Sequence, residues 1–148
     1  MAEKKKDCKK IYLAHIYSLT RGGQTPGEAL LENRFRNANK VSALIMEKFG
    51  HIVFSPISHS HPISKYVRAE NNIHEFWLAQ DKSFITDWCD EVWVVVPRFL
   101  DWKKSTGVRF EVNCAFQHKK AVRLAVYRPE ENELIVSKYS TKTWPTIK

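Results

Sequence analysis

An acid, a serine and a glycine stand close together in the segment STGVRFEVNCAF, residues 105 to 116. Ser105 can cap a helix that begins here, and Glu111 lies beyond the first turn, where the helix dipole no longer favours acids strongly. Gly107 shares a helical face with Glu111, so this face leaves room for a ligand to approach the carboxylate. Glu111 is therefore a candidate for chemistry, although a solvated helix acid would fit the same pattern.

The combination of Ser105, Gly107 and Glu111 suits a sugar or a phosphate. A bare glycine lets such a ligand come close to backbone N–H groups while the acid faces it. The common phosphate-binding motifs do not occur, because neither G-x-x-x-x-G-K-[ST] nor G-x-G-x-x-G follows the first predicted strand. This argues against an NTPase or a dinucleotide oxidoreductase of the common kind, and we expect no cofactor.

The composition predicts a soluble, cytoplasmic protein. With 148 residues and 43% hydrophobic content, the chain can bury a sizeable core without disulfides or metal. No apolar run is long enough to span a bilayer, and the N-terminus MAEKKKDCKK lacks the apolar core of a signal peptide. The three cysteines are widely spaced and form no C-x-x-C pair, which is typical of reduced thiols. We expect no membrane partner.

The net charge of +8 has two parts. Residues 1 to 10 contain five lysines against two acids, which gives +3 and leaves +5 for the rest of the chain. We interpret residues 1–9 as a basic flexible tail and residues 10–148 as a single domain. The remaining excess suits an anionic ligand such as a nucleotide phosphate. Since no RNA- or DNA-binding motif accompanies it, a nucleic-acid polymer is not the expected partner.

Strands and helices are predicted to alternate along the chain. The polar stretch SHSHPIS, residues 58–64, is predicted to be a loop. The alternation predicts an α/β fold with right-handed crossovers and a central, mostly parallel sheet of four to five strands, the last at an edge. Apolar runs and helical periodicity place strands at 10–17, 51–57, 91–97, 121–127 and 133–139, and helices at 28–49, 72–89 and from 105 onward.

In such a sheet, ligands bind outside the carboxyl ends of the strands. His59 and His61 lie in one of the loops selected by this rule and could offer two metal nitrogens, but no third ligand is assured, and no metal site is predicted. The rule selects the loops at 15–23, 55–64 and 97–107 and the segment after residue 126. The candidate substrate contacts in these loops are Ser18, Arg21, His59, His61, Trp102, Ser105 and Gly107.

Four features in this order resemble the nucleoside 2-deoxyribosyltransferase-like proteins: IYLAHIY in the first strand, Asp81 in the helix before the third strand, CDEVWVVV, and STGVRFEVNCA. The stretches FSPISHSHPI and RFRNAN also resemble a bacterial and phage branch of small proteins, the DUF1937 group. The likeness runs from about Ile11 to Val126. It implies a flavodoxin-like, three-layer α/β fold.

The resemblance implies an enzyme that cuts the N-glycosidic bond of deoxynucleosides or of their 5′-monophosphates. Glu111 falls on the nucleophile, which attacks C1′ and forms a glycosyl-enzyme that water or a second base resolves. A carboxylate about 3 Å from C1′ also stabilises the oxocarbenium character of the transition state. Tyr12 falls on an aromatic residue near the nucleophile. Asp81 falls on the acid that positions and protonates the base, with Asp87 as the alternative because the spacing from Asp81 to the third strand is about one residue longer than usual.

Ser105 bears on the substrate. Family members that transfer deoxyribose between free nucleosides tend to carry an acid six residues before the nucleophile, whereas members that hydrolyse 5′-monophosphates tend to carry a serine. A carboxylate there would repel a phosphate. Ser105 therefore favours nucleotides, as does Arg21, which lies near a phosphate-binding position of the hydrolases. The alternatives are base exchange on free nucleosides and a non-catalytic sensor of a nucleotide or an ADP-ribose-like ligand.

The resemblance also implies an oligomer, because subunits of family members pair so that a neighbour completes each site. The helix at 28–49 and the helix that ends at Trp88 have more apolar surface than one sheet face needs. The C-terminal stretch with Tyr139 and Trp144 could reach a partner. We expect a homodimer or a dimer of dimers with the active site at or near the interface.

Overall fold

Five strands form one sheet in the computed structural model, which describes residues 7–19 and 26–143 of the chain. The strands are β1 Lys10–Ala14, β2 Ile52–Phe54, β3 Glu91–Val96, β4 Ala121–Arg128 and β5 Glu133–Tyr139. Their order is β2-β1-β3-β4-β5, in which β1 to β4 pair in parallel and β5 runs antiparallel to β4. This is the flavodoxin-like strand order with an antiparallel edge strand. It confirms the predicted mostly parallel sheet with its last strand at an edge, and the flavodoxin-like fold that the resemblance implies.

Four helices cover the sheet: α1 Glu28–Leu44, α2 Pro56–Ser64, α3 His74–Ser83 and α4 Thr106–Gln117. α1 and α3 each continue into one π-helical turn, at Ile45–Phe49 and Phe84–Trp88. The predicted helices at 28–49 and 72–89 are thus confirmed over most of their length. Gly50, with φ of 70°, ends the first of them in the left-handed conformation that favours glycine. No helix in the described ranges has the length and apolarity that crossing a bilayer would need.

Alternating side chains of β1 and β3 face two different helical layers. Tyr12 and Val94 lie in a core with α4 and the π turn after α3, whereas Leu13 and Trp93 lie in a second core with α1. The sheet is therefore the middle of three layers. Because the Tyr12 side chain points toward the layer that contains α4, its hydroxyl lies on the side of the sheet that carries Glu111.

One predicted loop is a helix. The stretch SHSHPIS belongs to α2, so the prediction of a polar loop at 58–64 is wrong, and the strand before it ends at Phe54. Ser55 caps α2 through its hydroxyl, which accepts a hydrogen bond from the Ser58 amide at 3.3 Å, and Pro56 occupies the first turn. A capping serine followed by proline is a strong helix start signal that outweighs the polar composition.

Lys9, just before β1, contacts the start of β3. Lys9, which we assign to the tail on sequence, places its Nζ 2.9 Å from Glu91 Oε2 at the start of β3. Arg123 Nε lies 2.8 Å from Glu91 Oε1. Burial alone would raise the pKa of Glu91, but the hydrogen bonds from Arg123, Lys9 and Trp93 lower it to about 2. Residues 1–6 lie outside the described part of the chain.

Candidate active site

A cavity of about 460 Å³ opens at the carboxyl ends of the central strands. Its walls come from three segments that each follow a strand: residues 15–18 after β1, the helix α2 after β2, and the start of α4 after β3. α3 closes another side through Trp77, Leu78 and Asp81. At this point the connections that leave the neighbouring strands β1 and β3, through α1 and α4, run to opposite sides of the sheet, and ligands bind at such points in open α/β folds.

Glu111 and Tyr12 form a buried pair at the cavity. Glu111 lines the cavity from α4, and its Oε2 accepts a hydrogen bond from the hydroxyl of Tyr12 on β1. Burial raises the pKa of Glu111 to about 8, the Tyr12 hydrogen bond opposes this shift, and the charge of Asp81 adds to it. Burial also raises the pKa of Tyr12 well above its usual value, so its hydroxyl keeps the proton it donates.

Of the two candidates for the second acid, only Asp81 faces the cavity. Asp81 lines it from α3, and burial raises the pKa of Asp81 to about 7. Asp87 is exposed and lies in the π turn. In that turn the amide of Cys89 donates to the Phe84 carbonyl at 2.9 Å, five residues back. A π turn accommodates one residue more than an α turn, which offers a physical reason for the longer spacing between Asp81 and β3.

Ser105 and Gly107 both line the cavity at the start of α4. The Ser105 hydroxyl accepts a hydrogen bond from the Val108 amide at 3.3 Å and is therefore the N-cap that the sequence predicts. Gly107 faces His74 at the start of α3, and a Cβ added to the glycine would lie 3.5 Å from His74 Cε1. The two helix starts thus approach each other across one wall of the cavity.

The remaining predicted contacts divide into two groups. Ser18 and His61 line the cavity. His59 and Trp102 do not line it: His59 is exposed and its ring packs 5.9 Å from that of Phe54, whereas Trp102 is buried in the core against Tyr139. We therefore leave His59 and Trp102 out of the candidate site. Arg21 lies outside the described residues.

A comparison with protein families places these residues in a known group. The family model described as "Domain of unknown function (DUF1937)" matches residues 9–127. The chain belongs to this family. The match covers β1 to β3, α1 to α4 and β4 as far as Tyr127, and therefore includes Tyr12, Asp81 and Glu111. No curated protein matches the chain significantly.

The cavity residues of this DUF1937 domain that the sequence reasoning misses include Tyr17, His74 and Trp77. Tyr17 falls in a stretch that the sequence predicts to be a strand, but it follows β1 and lines the cavity. His74 and Trp77 belong to α3, where helical periodicity marks a core-facing stripe without showing that part of the stripe faces a ligand. Proximity of a polar residue to a strand end was the available signal, and among these three residues it points to Tyr17 only.

The ionisable side chains of the cavity wall are acids and histidines. The DUF1937 domain presents Asp81 and Glu111 there, together with His15, His61 and His74, and no lysine or arginine among the described residues. A phosphate in this cavity would have to rely on the N-terminal amides of α4 or on residues outside the described ranges. Within residues 7–19 and 26–143, no group of three or more histidine, cysteine or acidic side chains is arranged to hold a metal ion.

Gly107→Ala should impair ligand binding without harming the fold. The added methyl group meets His74 at an ordinary contact distance, and alanine in place of a helical glycine stabilises by about 0.4–1 kcal/mol. On the cavity wall, however, the methyl group takes space from the ligand, and KM for any substrate should rise roughly tenfold or more. Gly27→Ala at the N-cap of α1, where nothing lies within 4 Å of an added Cβ, is the matched control. An unchanged KM in Gly107→Ala would remove Gly107 from the ligand contacts.

Proposed function

We propose that this DUF1937 protein cleaves the N-glycosidic bond of 2′-deoxynucleoside 5′-monophosphates or related nucleosides, with Glu111 as the nucleophile. The observation that carries the proposal is the Tyr12–Glu111 pair, which shares one cavity with a second, half-buried acid, Asp81. A pair of carboxyl groups in one cleft is the arrangement that glycosidic bond cleavage needs.

Each carboxyl group has a role in the first step. The ionised Glu111 attacks C1′ of the sugar, the C1′–N bond breaks, and its electron pair leaves with the base. Asp81 donates its proton to the departing base, which would otherwise leave as a poor anionic group. The hydroxyl of Tyr12 holds Glu111 Oε2 in place and leaves the other carboxylate oxygen for the attack. The product of this step is a glycosyl ester on Glu111.

The second step returns the enzyme to its starting state. Water, or a second base in a transfer reaction, attacks C1′, and the ester bond breaks with its electron pair returning to Glu111. Asp81, now a carboxylate, takes the proton of the attacking water. The pKa of about 7 for Asp81 suits this double role, because the group can both give and take a proton near neutral pH.

Base release from single nucleotides is the direct test. The pure protein is incubated with each 2′-deoxynucleoside 5′-monophosphate and each 2′-deoxynucleoside, and free base is separated by chromatography. Release of at least one base, or exchange when a second base is added, supports the proposal. Thermal stabilisation by a nucleotide without any release or exchange would indicate a binding protein instead.

A transfer reaction on free nucleosides is the second candidate, and the cavity wall gives it specific support. No described lysine or arginine lines the cavity to neutralise a phosphate, which favours an uncharged sugar. Ser105 and Arg21 point toward a monophosphate, as argued above. The ratio of kcat/KM for a nucleoside and its own 5′-monophosphate decides between the two substrates.

We propose in addition that the protein acts as a homodimer or a dimer of dimers. Exposed apolar side chains lie on the segment 63–73 beside the cavity, and Tyr66 is 91% exposed there while Ile73 also lines the cavity. A second subunit that covers this segment would bury apolar surface and shield the site from water. Trp144, a predicted contact, lies outside the described residues. Sedimentation at micromolar concentration should give at least a dimer, and a fully active monomer would contradict the proposal.

A further inference from the structure

A second hydrogen-bonded cluster faces the same cavity, and its residues are distant in sequence from Asp81 and Glu111. It consists of Tyr17, His61 and Glu32, of which Tyr17 and His61 line the cavity. His61 Nε2 lies 2.7 Å from Glu32 Oε2, and His61 Nδ1 lies 2.5 Å from the Tyr17 hydroxyl oxygen. Both ring nitrogens of the buried His61 are therefore occupied by protein groups, and the Tyr17 oxygen is the atom of the cluster that has hydrogen-bonding capacity left on a residue lining the cavity.

The packing around the cluster holds the imidazole ring in one orientation. Phe35 stacks on the His61 ring with their centroids 4.6 Å apart, and Tyr17 meets the same ring edge-on. Arg36 Nε lies 3.3 Å from the other oxygen of Glu32 and helps to orient that carboxylate. Because neither ring nor carboxylate can turn freely, the direction of each hydrogen bond in the cluster is set by the protein.

The chemistry of Glu32 sets the direction of these hydrogen bonds. The His61 hydrogen bond lowers the pKa of Glu32, so Glu32 is an ionised group that can only accept. His61 Nε2 must therefore carry a proton and donate it, and in the neutral ring Nδ1 is then an acceptor. With the ring neutral, the Tyr17 hydroxyl donates its single proton to Nδ1. The Tyr17 oxygen therefore offers its two acceptor sites to a ligand in the cavity.

We propose that Tyr17 is a specificity-determining contact that accepts a hydrogen bond from an uncharged donor group of the ligand. Glu32 and His61 fix the direction of the hydrogen bond that the Tyr17 hydroxyl makes to the protein, so that its oxygen faces the ligand as an acceptor. The proposal rests on the proposed function for the identity of the ligand, since a nucleoside offers two kinds of donor, a sugar hydroxyl and a base amino group. A phosphate or carboxylate is disfavoured at this point, because its oxygens would face the lone pairs of Tyr17.

Binding without turnover tests the contact. The Glu111→Gln protein is titrated calorimetrically with the nucleoside that the wild type cleaves fastest or, if it cleaves none, the nucleoside that raises Tm most. The same titration uses analogues that lack the base amino group, the 3′-hydroxyl or the 5′-hydroxyl. One of these analogues should bind about tenfold more weakly than the parent, and adding Tyr17→Phe should abolish that difference. Which analogue it is identifies the donor as a sugar hydroxyl or a base amino group.

Two further variants separate specificity from packing. Glu32→Gln should also reduce the discrimination, because an amide at this position can donate as well as accept and no longer fixes the His61 tautomer. Tyr127→Phe, which removes a hydroxyl from β4 without touching the cavity, is the matched control and should leave the discrimination unchanged. The proposal is overturned if Tyr17→Phe keeps the full discrimination, or if it weakens the parent and all analogues equally. Failure of base release alone would leave this binding test intact, so the two failures are distinguishable.

Discussion

Glu111→Gln is expected to abolish base release, with kcat/KM lower by roughly 10⁴-fold or more, while the protein remains folded. The amide keeps the volume of the side chain but cannot form the glycosyl ester. It can still accept the hydrogen bond from the Tyr12 hydroxyl. Base release is measured alongside a thermal melt, and Glu47→Gln, at an exposed position in the π turn after α1, is the control for an acid-to-amide change. Full activity in Glu111→Gln would exclude it as the nucleophile.

The same variant should change how stability depends on pH. Burial raises the pKa of Glu111 from 4.5 in the unfolded chain to about 8, so the folded state favours the protonated form. This contribution to stability is complete below pH 4.5 and is lost as the pH rises toward 8. Glu111→Gln has no such proton to lose, so its free energy of unfolding should fall less between pH 5 and pH 9. Parallel stability curves for both proteins would show that Glu111 titrates normally.

Asp81→Asn should lower kcat by about 10²- to 10⁴-fold, and Asp87→Asn should have little effect. Asp81 faces the cavity and is available to protonate the base, whereas Asp87 is exposed on the π turn. The two substitutions are chemically identical and lie six residues apart on continuous helical structure, so each is the control for the other. Loss of activity in Asp87→Asn with normal activity in Asp81→Asn would reverse the assignment.

The pH profile should separate the roles of the two acids. Activity needs Glu111 ionised and Asp81 protonated, and with pKa values of about 8 and about 7 the profile of kcat/KM should be bell-shaped with its maximum between them. Asp81→Asn should remove the alkaline limb from the residual activity.

Local sequence patterns were enough to predict the order of strands and helices and one wall of the cavity, whereas the three-layer fold was implied by the family resemblance. Alternation of apolar runs with helical periodicity gave β1 to β5, and the cap at Ser105 placed Gly107 and Glu111 on a helix that starts at the sheet edge. These features depend on residues within about one helical turn of each other, which is the range over which such patterns act.

Two of the features that escaped prediction depend on partners far away in the chain, and a third is a local turn that no residue type marks. His61 is fixed by Glu32, 29 residues earlier, and nothing in the SHSHPIS stretch shows that a carboxylate will meet its ring. Trp102 follows a strand end, but the chain after β3 turns it into the core against Tyr139. In the π turn at Phe84–Trp88, the hydrogen bond joins residues five apart instead of four, and no residue type in the sequence marks this difference.

The antiparallel strand β5 affects the tendency of the protein to aggregate. The family match ends at residue 127, so β5 lies beyond it and pairs with β4 along the whole length from Val122 to Arg128. A chain cut after Tyr127 would contain every residue of the candidate site, yet it would expose the free backbone edge of AVRLAVY, an apolar strand with a single charge. Such an edge is a template for intermolecular pairing and aggregation. In the full chain, β5 forms this edge of the sheet instead. It carries Glu133 and Lys138, whose charges oppose the addition of a further strand.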